Sequence, residues 1–584
     1  MSCTVPCTEN ETCFYRFMKS VVIPIGKAAM FDPVIEVGFE KFPGRGQAAV
    51  CAFLHHNDFA DLALTIGASP RYVRFGAAAY LWKVPVLGCF PPALGAVPLA
   101  RAGESSAGSS QAASFDKLVS TLCDGGCLML APEGGSRMRT MVGEFKKGWV
   151  HFAEQAVFHK TIKDTEVDES FSVSLVPIGV VYMQFNLWRS AAMVRCGDPI
   201  TINAEKLRAA GVTADMKDDD RVRKQLVNML LEEFKPAMER VSMHIPPKPC
   251  PPDDPNKASI LEGSFAALRL AVVASRLAWF ESEGNARLPP MDLWCDSIVK
   301  SAEALNSDDD LWKRMDKYHR ELVHTGVRDA QVRSNASPGS RQLCGFACLC
   351  LLFLILLPVF SLALPACILW SPMFLLGWCG TRAKFKRGLK YYKTPEPGSK
   401  ERPDPRFQDG DVMRRRADFD TIPRVKGGPS FFYLPLLLII MWTLLSVYFT
   451  RQGWSLGSGI GLGFAFGFLG LLLKLWLSFR LLDEAFALLR AICGRWAMFR
   501  IPAGKLMQIR QERAELRKVI LAIEGMRNIV ESRSDAPGIN CLLGRCLRSD
   551  WMEAISLSED LKLSFCDFND PPHAGAHEDY EALS

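Results

Sequence analysis

Two adjacent histidines, His55 and His56, stand at the end of an apolar run from Ala48 to Leu54, and Asp61 lies five residues beyond His56. The run reads as a buried strand, and Ala60 to Leu64 opens a helical apolar pattern, so the polar residues sit where a strand meets a helix. Imidazole is the side chain best suited to take a proton near neutral pH, and a carboxylate on its other ring nitrogen fixes its tautomer. The His-x4-Asp pair His56/Asp61 therefore has the makings of a general base and its orienting partner. The same spacing fits a capped helix start with a satisfied histidine, and two residues alone do not separate these readings.

The surrounding chain, to about residue 202, alternates strand-like and helix-like patterns, which predicts an α/β domain. Three more polar clusters interrupt its apolar runs. Gly95 to Arg101 places an arginine at a strand end. The strand-like Cys127 to Leu130 runs into Pro132-Glu133-Gly134-Gly135-Ser136, with Arg137 and Arg139 behind it. Glycine backbone N–H groups, a serine and fork-shaped guanidinium groups are what a phosphate needs. Val176 to Gly179 reads as a further strand end, followed by Trp188-Arg189-Ser190 and Gly197 to Ile200. Each is an ordinary turn by itself. Together they are four polar strand ends in one α/β domain, where ligands gather at the carboxyl ends of strands.

Composition narrows the class. A length of 584 residues is too great for one domain, and a net charge of +6 is too mild for a wholesale nucleic-acid role. The 19 cysteines are scattered, several inside apolar stretches, with neither zinc spacing nor a secreted disulfide framework, so a reduced, cytosol-facing chain is expected. The first residues lack the pattern of a cleavable signal peptide. No P-loop, dinucleotide glycine fingerprint or metal-ligand set is found, and no cofactor is expected. His151 and His159 read as surface or packing residues.

In their order, these blocks resemble the glycerolipid acyltransferases, which share an Asn-His-x4-Asp block, a glycine-to-arginine block, a Phe-Pro-Glu-Gly block and a Val-Pro block. The matching residues are His55-His56-x4-Asp61, Gly95 to Arg101, Ala131-Pro132-Glu133-Gly134 and Val176-Pro177. The likeness is greatest to the membrane-bound glycerol-3-phosphate/dihydroxyacetone-phosphate acyltransferases of the fungal type, which read Glu-Gly-Gly-Ser as this chain does at Glu133 to Ser136. Gly95 to Ala102, Phe145 to Gly148, Arg189-Ser190 with Gly197 to Ile200, and Tyr318 to Val332 fit as well, so the resemblance runs to about residue 480. The chain departs from the pattern at three places. His55 stands for Asn, Ala131 for Phe, and Ser136 where most acyltransferases have a phosphate-binding arginine.

The resemblance implies a mixed sheet flanked by helices and direct attack of a glycerol hydroxyl on an acyl-CoA thioester, acyl-CoA being a co-substrate. His56 would be the base and Asp61 its partner, while Arg101, Glu133, Gly134, Ser136 and Arg137 or Arg139 would hold the phosphate and glycerol end. Arg139 matches an arginine of the fungal type, and Arg189 is a further candidate for the same anion. The acceptor is glycerol 3-phosphate or dihydroxyacetone phosphate, acylated at sn-1. The alternatives are sn-2 acylation of lysophosphatidate and a non-catalytic membrane scaffold with an acyltransferase-like domain.

The later chain turns apolar. Leu343 to Gly380 is a 38-residue stretch without a charged residue, broken by Pro358 and Pro365. That is about twice the length of one crossing, which predicts two short crossings or a re-entrant hairpin. Phe431 to Thr450 and the glycine-rich Ser455 to Phe479 form a second pair. Between the pairs, residues 381 to 430 hold fourteen Lys and Arg against seven Asp and Glu, which places this loop in the cytosol. An even number of crossings follows, since acyl-CoA requires a cytosolic catalytic domain.

The expected organisation is an α/β acyltransferase domain, an α-helical accessory region and an α-helical transmembrane region. In sequence these are an N-terminal helix at 1–31, interfacial or an amphipathic core helix; the acyltransferase domain at 32–245; and a linker with accessory helices at 246–342. A membrane hairpin at 343–380, the basic loop at 381–430, a second hairpin at 431–480 and a cytosolic amphipathic helix with its tail at 481–584 complete it. The lipid bilayer is thus an expected partner and nucleic acid is not, with a multi-pass location in the endoplasmic reticulum.

Overall fold

The computed structural model describes residues 11–56, 60–83, 87–99, 107–134, 141–163, 168–182, 190–216, 221–246, 260–279, 291–327 and 501–531, with scattered positions between 329 and 500. The chain divides into two compact units, one drawn mainly from Met1–Met183 and Trp188–His244, the other mainly from Ile245–Lys390 and Asp411–Ser584.

The first unit is built on an eight-stranded mixed sheet. Its strands are β1 (Phe31–Val37), β2 (Ala48–Phe53), β3 (Arg74–Ala78), β4 (Val97–Leu99), β5 (Cys127–Leu130), β6 (Ser172–Tyr182), β7 (Ser190–Cys196) and β8 (Ile200–Asn203). They run in the order β1-β7-β6-β2-β5-β3-β4, with β8 also on β6. From β6 through β2, β5 and β3 to β4 every pairing is parallel. The carboxyl ends of these five strands therefore share one edge. Against β6, both β7 and β8 are antiparallel.

The middle strand explains its own sequence. Every residue of β2 is buried, as a parallel strand covered on both faces must be. Ala48, Val50, Ala52 and Leu54 join a core with Leu118, Leu122, Trp149, Val150 and Phe234. These come from the helices Ala107–Cys123, Gly148–Phe158 and Arg221–Val241. Within this layer Arg223 pairs with Glu154 through Nε–Oε1 at 2.7 Å and Nη2–Oε2 at 2.9 Å, and its guanidinium carbon lies 4.0 Å from the Phe158 ring centre. Two fully buried charges are tolerable here because each satisfies the other bidentately.

Loops before β2, β3 and β5 are tied by a buried arginine. Arg71 donates to the carbonyls of Gly44, Gln47 and Gly125. The helical segment Cys13 to Met30, which the sequence leaves between a bilayer surface and a core, docks on this unit. Tyr15 is buried, its ring 4.6 Å from that of Tyr72, and Lys19 Nζ donates to the carbonyl oxygens of Ser69 at 2.7 Å and Arg71 at 3.0 Å. Phe17 and Val22 point outward.

One predicted strand end is corrected. Val176 to Gly179 does not terminate a strand, because β6 runs on to Tyr182. Proline lacks a donor but keeps an extended φ and a carbonyl; Pro177 sits opposite Ala52, and its carbonyl accepts from Gly197 N at 2.9 Å.

The second unit contains the helices Ile260–Trp279, Met291–Ser307 and Asp309–Thr325. Asp308 caps the last of these, accepting from the backbone N–H of Asp310 and Leu311, and Gly326 ends it with φ +64°. The amphipathic helix expected within 481–584 is two helices, Ala503–Leu521 and Met526–Glu531, joined through Gly525 at φ +76°. The first of them buries Leu506, Ile509, Leu516 and Ile520 against the earlier helices. Among the described residues no helix is long and apolar enough to cross a membrane. The predicted hairpins 343–380 and 431–480 and the basic loop 381–430 lie outside the described residues, apart from scattered positions.

Candidate active site

The shared carboxyl edge of the parallel strands gathers the sequence clusters. At the end of β2 the chain passes through His55 and His56, and the helix Ala60–Ala68 then starts with Asp61 in its first turn. A carboxylate there is favoured by the helix N-terminus. Asp61 has no exposed surface and accepts from protein on both oxygens. Nδ1 of His55 is 2.9 Å from Oδ2, and the Tyr182 hydroxyl donates to Oδ1.

With the carboxylate as acceptor, Nδ1 of His55 is the donor in this pair. The His55 ring stands edge-on to Phe53 at 5.4 Å. His56 is buried, with its ring centre 6.5 Å from that of Tyr182 in an edge arrangement. His55, one residue ahead of the His-x4-Asp pair, thus also places an imidazole 2.9 Å from Asp61. Burial, and then the Asp61 charge, hold the Tyr182 phenol well above its ordinary pKa, so it remains a donor.

On the next strand along the same edge, β5 leads into Pro132-Glu133-Gly134. Gly134 closes a turn onto the Ala131 carbonyl at 3.0 Å with φ +73°, a conformation that glycine adopts without cost. Glu133 is buried and accepts from Gly143 N at 2.6 Å, while Lys146 N donates to the Pro132 carbonyl at 2.7 Å. These bonds join the two ends of the stretch that carries Ser136, Arg137 and Arg139, residues that lie outside the described ones. Arg101 and Arg189 also lie outside them.

The start of the glycine-to-arginine block has a steric reason. Gly95 has φ +75°, and a Cβ there would collide with the Tyr72 hydroxyl. Among the described residues no group of three or more His, Cys, Asp and Glu forms a metal cradle.

Sequence reasoning missed Tyr182 and the contact of His55 with Asp61. The signal for Tyr182 is the apolar pair Val180-Val181 after Gly179, which continues the strand.

Residues 34–181 match the acyltransferase family model, and residues 305–393 match that of the glycerol-3-phosphate acyltransferase 2 C-terminal domain. Glycerol-3-phosphate O-acyltransferase 2 of Saccharomyces cerevisiae is 27% identical over 283 residues, 47% of this chain and 33% of that protein. Glycerol-3-phosphate O-acyltransferase 1 of the same yeast is 24% identical over 274 residues, 46% of this chain and 31% of that protein. The matched part spans about a third of these curated relatives. The 1-acyl-sn-glycerophosphate (LPA) acyltransferase of Thermotoga maritima superposes with a TM-score of 0.25 at 18% identity, over 38% of this chain and 81% of that one, too low a score to carry an argument.

Proposed function

From a chain that joins an acyltransferase domain to a glycerol-3-phosphate acyltransferase 2 C-terminal domain, and that has the two yeast proteins as homologues over about half its length, we propose an acyl-CoA-dependent acyltransferase. It moves a fatty acyl group to the sn-1 hydroxyl of glycerol 3-phosphate or dihydroxyacetone phosphate, the first step of glycerolipid synthesis. The observation that carries this reading is the imidazole–carboxylate cluster at the carboxyl end of β2, within the matched segment 34–181.

A glycerol hydroxyl is a poor nucleophile unless a base within hydrogen-bond reach takes its proton. By motif position that base is His56, with Asp61 as its partner. The hydroxyl oxygen bonds to the thioester carbonyl carbon, the carbon–sulfur bond breaks, and the proton held by the imidazole passes to the departing thiolate. Ionised Asp61 stabilises the imidazolium formed between these steps. Arg101, Glu133, Gly134, Ser136, Arg137, Arg139 and Arg189 form the proposed phosphate and glycerol end. A second reading takes His55 as the base, favoured by its 2.9 Å contact with Asp61.

The proposed setting is the endoplasmic reticulum membrane, with the segments 343–380 and 431–480 in the bilayer and the catalytic domain and C-terminus in the cytosol. Bonding inside the second unit supports an even number of crossings. Arg510 Nε donates to the Val332 carbonyl at 3.0 Å and Arg513 pairs with Asp329 at 2.8 Å, so the chain on either side of these segments returns to one body.

The test supplies labelled palmitoyl-CoA with glycerol 3-phosphate, dihydroxyacetone phosphate or lysophosphatidate to membranes carrying the intact chain, His56→Ala or His55→Asn. Lysophosphatidate or acyl-dihydroxyacetone phosphate made by the intact chain and lost in His56→Ala establishes the reaction and the base. Loss in His55→Asn with activity kept in His56→Ala moves the base to His55. Product from lysophosphatidate alone gives the sn-2 reading, and background from a folded intact chain gives the scaffold.

A further inference from the structure

The second oxygen of Asp61 is held from the far side of the sequence. Tyr182 lies 121 residues beyond Asp61 and ends β6, the strand registered against β2 from Ala48↔Val173 to Phe53↔Ile178. β2 stops at Phe53, opposite Ile178, while β6 continues four residues more. That overhang carries the phenol over the start of the helix Ala60–Ala68. The ring is held there by Phe31, 5.6 Å away between centres, and the hydroxyl spends its hydrogen bond on Oδ1.

A buried carboxylate bonded on one oxygen can pivot about its Cβ–Cγ bond, whereas donors on both oxygens fix its plane. We propose that Tyr182 is a positioning residue of the acyl transfer, acting through Asp61 by fixing the carboxylate that orients the catalytic imidazole. The proposal rests on the reading that Asp61 serves proton transfer, and it holds whichever of His55 and His56 is the base. Tyr182 is absent from the four sequence blocks, and its hydroxyl donates to Asp61. His55 and Tyr182 meet the oxygens of Asp61, and His56 lies edge-on to Tyr182.

Tyr182→Phe keeps the ring and its packing and removes only the donor. In the full-length chain in membranes, kcat for acyl transfer to glycerol 3-phosphate is expected to fall about tenfold, the effect of losing one hydrogen bond to a charged group. The KM values for palmitoyl-CoA and glycerol 3-phosphate stay within about twofold, because no substrate contact is lost. With its charge no longer shared with the phenol, Asp61 stabilises the imidazolium more strongly, so the acid limb of the pH–rate profile moves to higher pH.

An unchanged kcat, or a fall in kcat matched by a rise in KM, would overturn the proposal. Asp61→Asn separates this from the parent reading. If Asp61→Asn is inactive and Tyr182→Phe behaves as the intact chain, only the positioning role fails. If Asp61→Asn is as active as the intact chain, the parent reading fails. Should Tyr182→Phe not fold, 3-fluorotyrosine at position 182 keeps the ring and strengthens the donor; a kcat change of at least about twofold is expected, and none overturns the proposal.

Discussion

Arg513 meets Asp329 through two contacts, Nε to Oδ1 at 2.8 Å and Nη2 to Oδ2 at 3.3 Å, across 184 residues of sequence. The Tyr318 hydroxyl adds a third bond to the same carboxylate at 2.7 Å. Tyr318 and Asp329 are the first and twelfth residues of the block at 318–332 that resembles the fungal acyltransferases. The structure accounts for that block as packing and pairing inside the helical unit.

Removing one partner of a buried ion pair strands the other charge, at a cost of about 3–5 kcal/mol. Arg513→Ala is therefore expected to destabilise the second unit by that order, read as a lowered thermal midpoint of the detergent-solubilised chain. Replacing both partners, Arg513→Met with Asp329→Leu, is expected to recover most of the loss. A double variant as unstable as Arg513→Ala would refute the account.

The two histidines separate by activity. His56→Ala is expected to lose about 10²- to 10⁴-fold in kcat, the range for a positioned proton transfer. His55→Asn restores the residue that the resembling family carries, and it is expected to keep the greater part of the activity. Radiolabelled lysophosphatidate formation measures both.

Gly95→Ala probes the steric block beneath the glycine-to-arginine motif. A side chain at φ +75° is strained, and its Cβ collides with the Tyr72 hydroxyl. A loss of about 1–3 kcal/mol is expected for the backbone alone, with more for displacing Tyr72. Gly95→Ala combined with Tyr72→Phe relieves the collision with the hydroxyl and leaves the strain. A double variant more stable than the single, by denaturant unfolding, checks the assignment.

Cys196 is buried, and burial together with the nearby Glu40 charge pushes its thiol up to about 12. It is expected to resist alkylation by iodoacetamide at pH 8 until the protein is denatured, as mass spectrometry of the modified peptide would show. The folded pKa is raised, so its stabilising contribution is whole below the unfolded thiol value of about 8.5 and declines as the pH rises toward about 12. Cys196→Ala should flatten that alkaline loss.

Much of the first unit is legible in the sequence because its signals are local. The buried run Ala48 to Phe53 announces a covered parallel strand, and polar residues at its end announce an exposed edge. The helix at 221–241 is equally plain from Val227, Leu230, Leu231 and Phe234 on one face. Tyr182 is not legible, since Pro177 suggests a strand end and only the register with β2 shows how far the strand continues. Nor is the contact of His55 with Asp61, which depends on the direction the chain takes between strand and helix. Arg513 and Asp329 are beyond any periodic pattern, because a pairing across 184 residues leaves no mark on either neighbourhood.

The late position of the helix Ala503–Leu521 sets an order of events during synthesis. Leu506, Ile509, Leu516 and Ile520 cover the helices Ile260–Trp279 and Asp309–Thr325, yet they leave the ribosome about 180 to 250 residues after them. At roughly 5–20 residues per second, the apolar face they complete stays open for about ten seconds or more. For that interval the two helices lack the apolar cover that the last helix brings, and Asp329 has its Tyr318 hydrogen bond but not yet the Arg513 guanidinium.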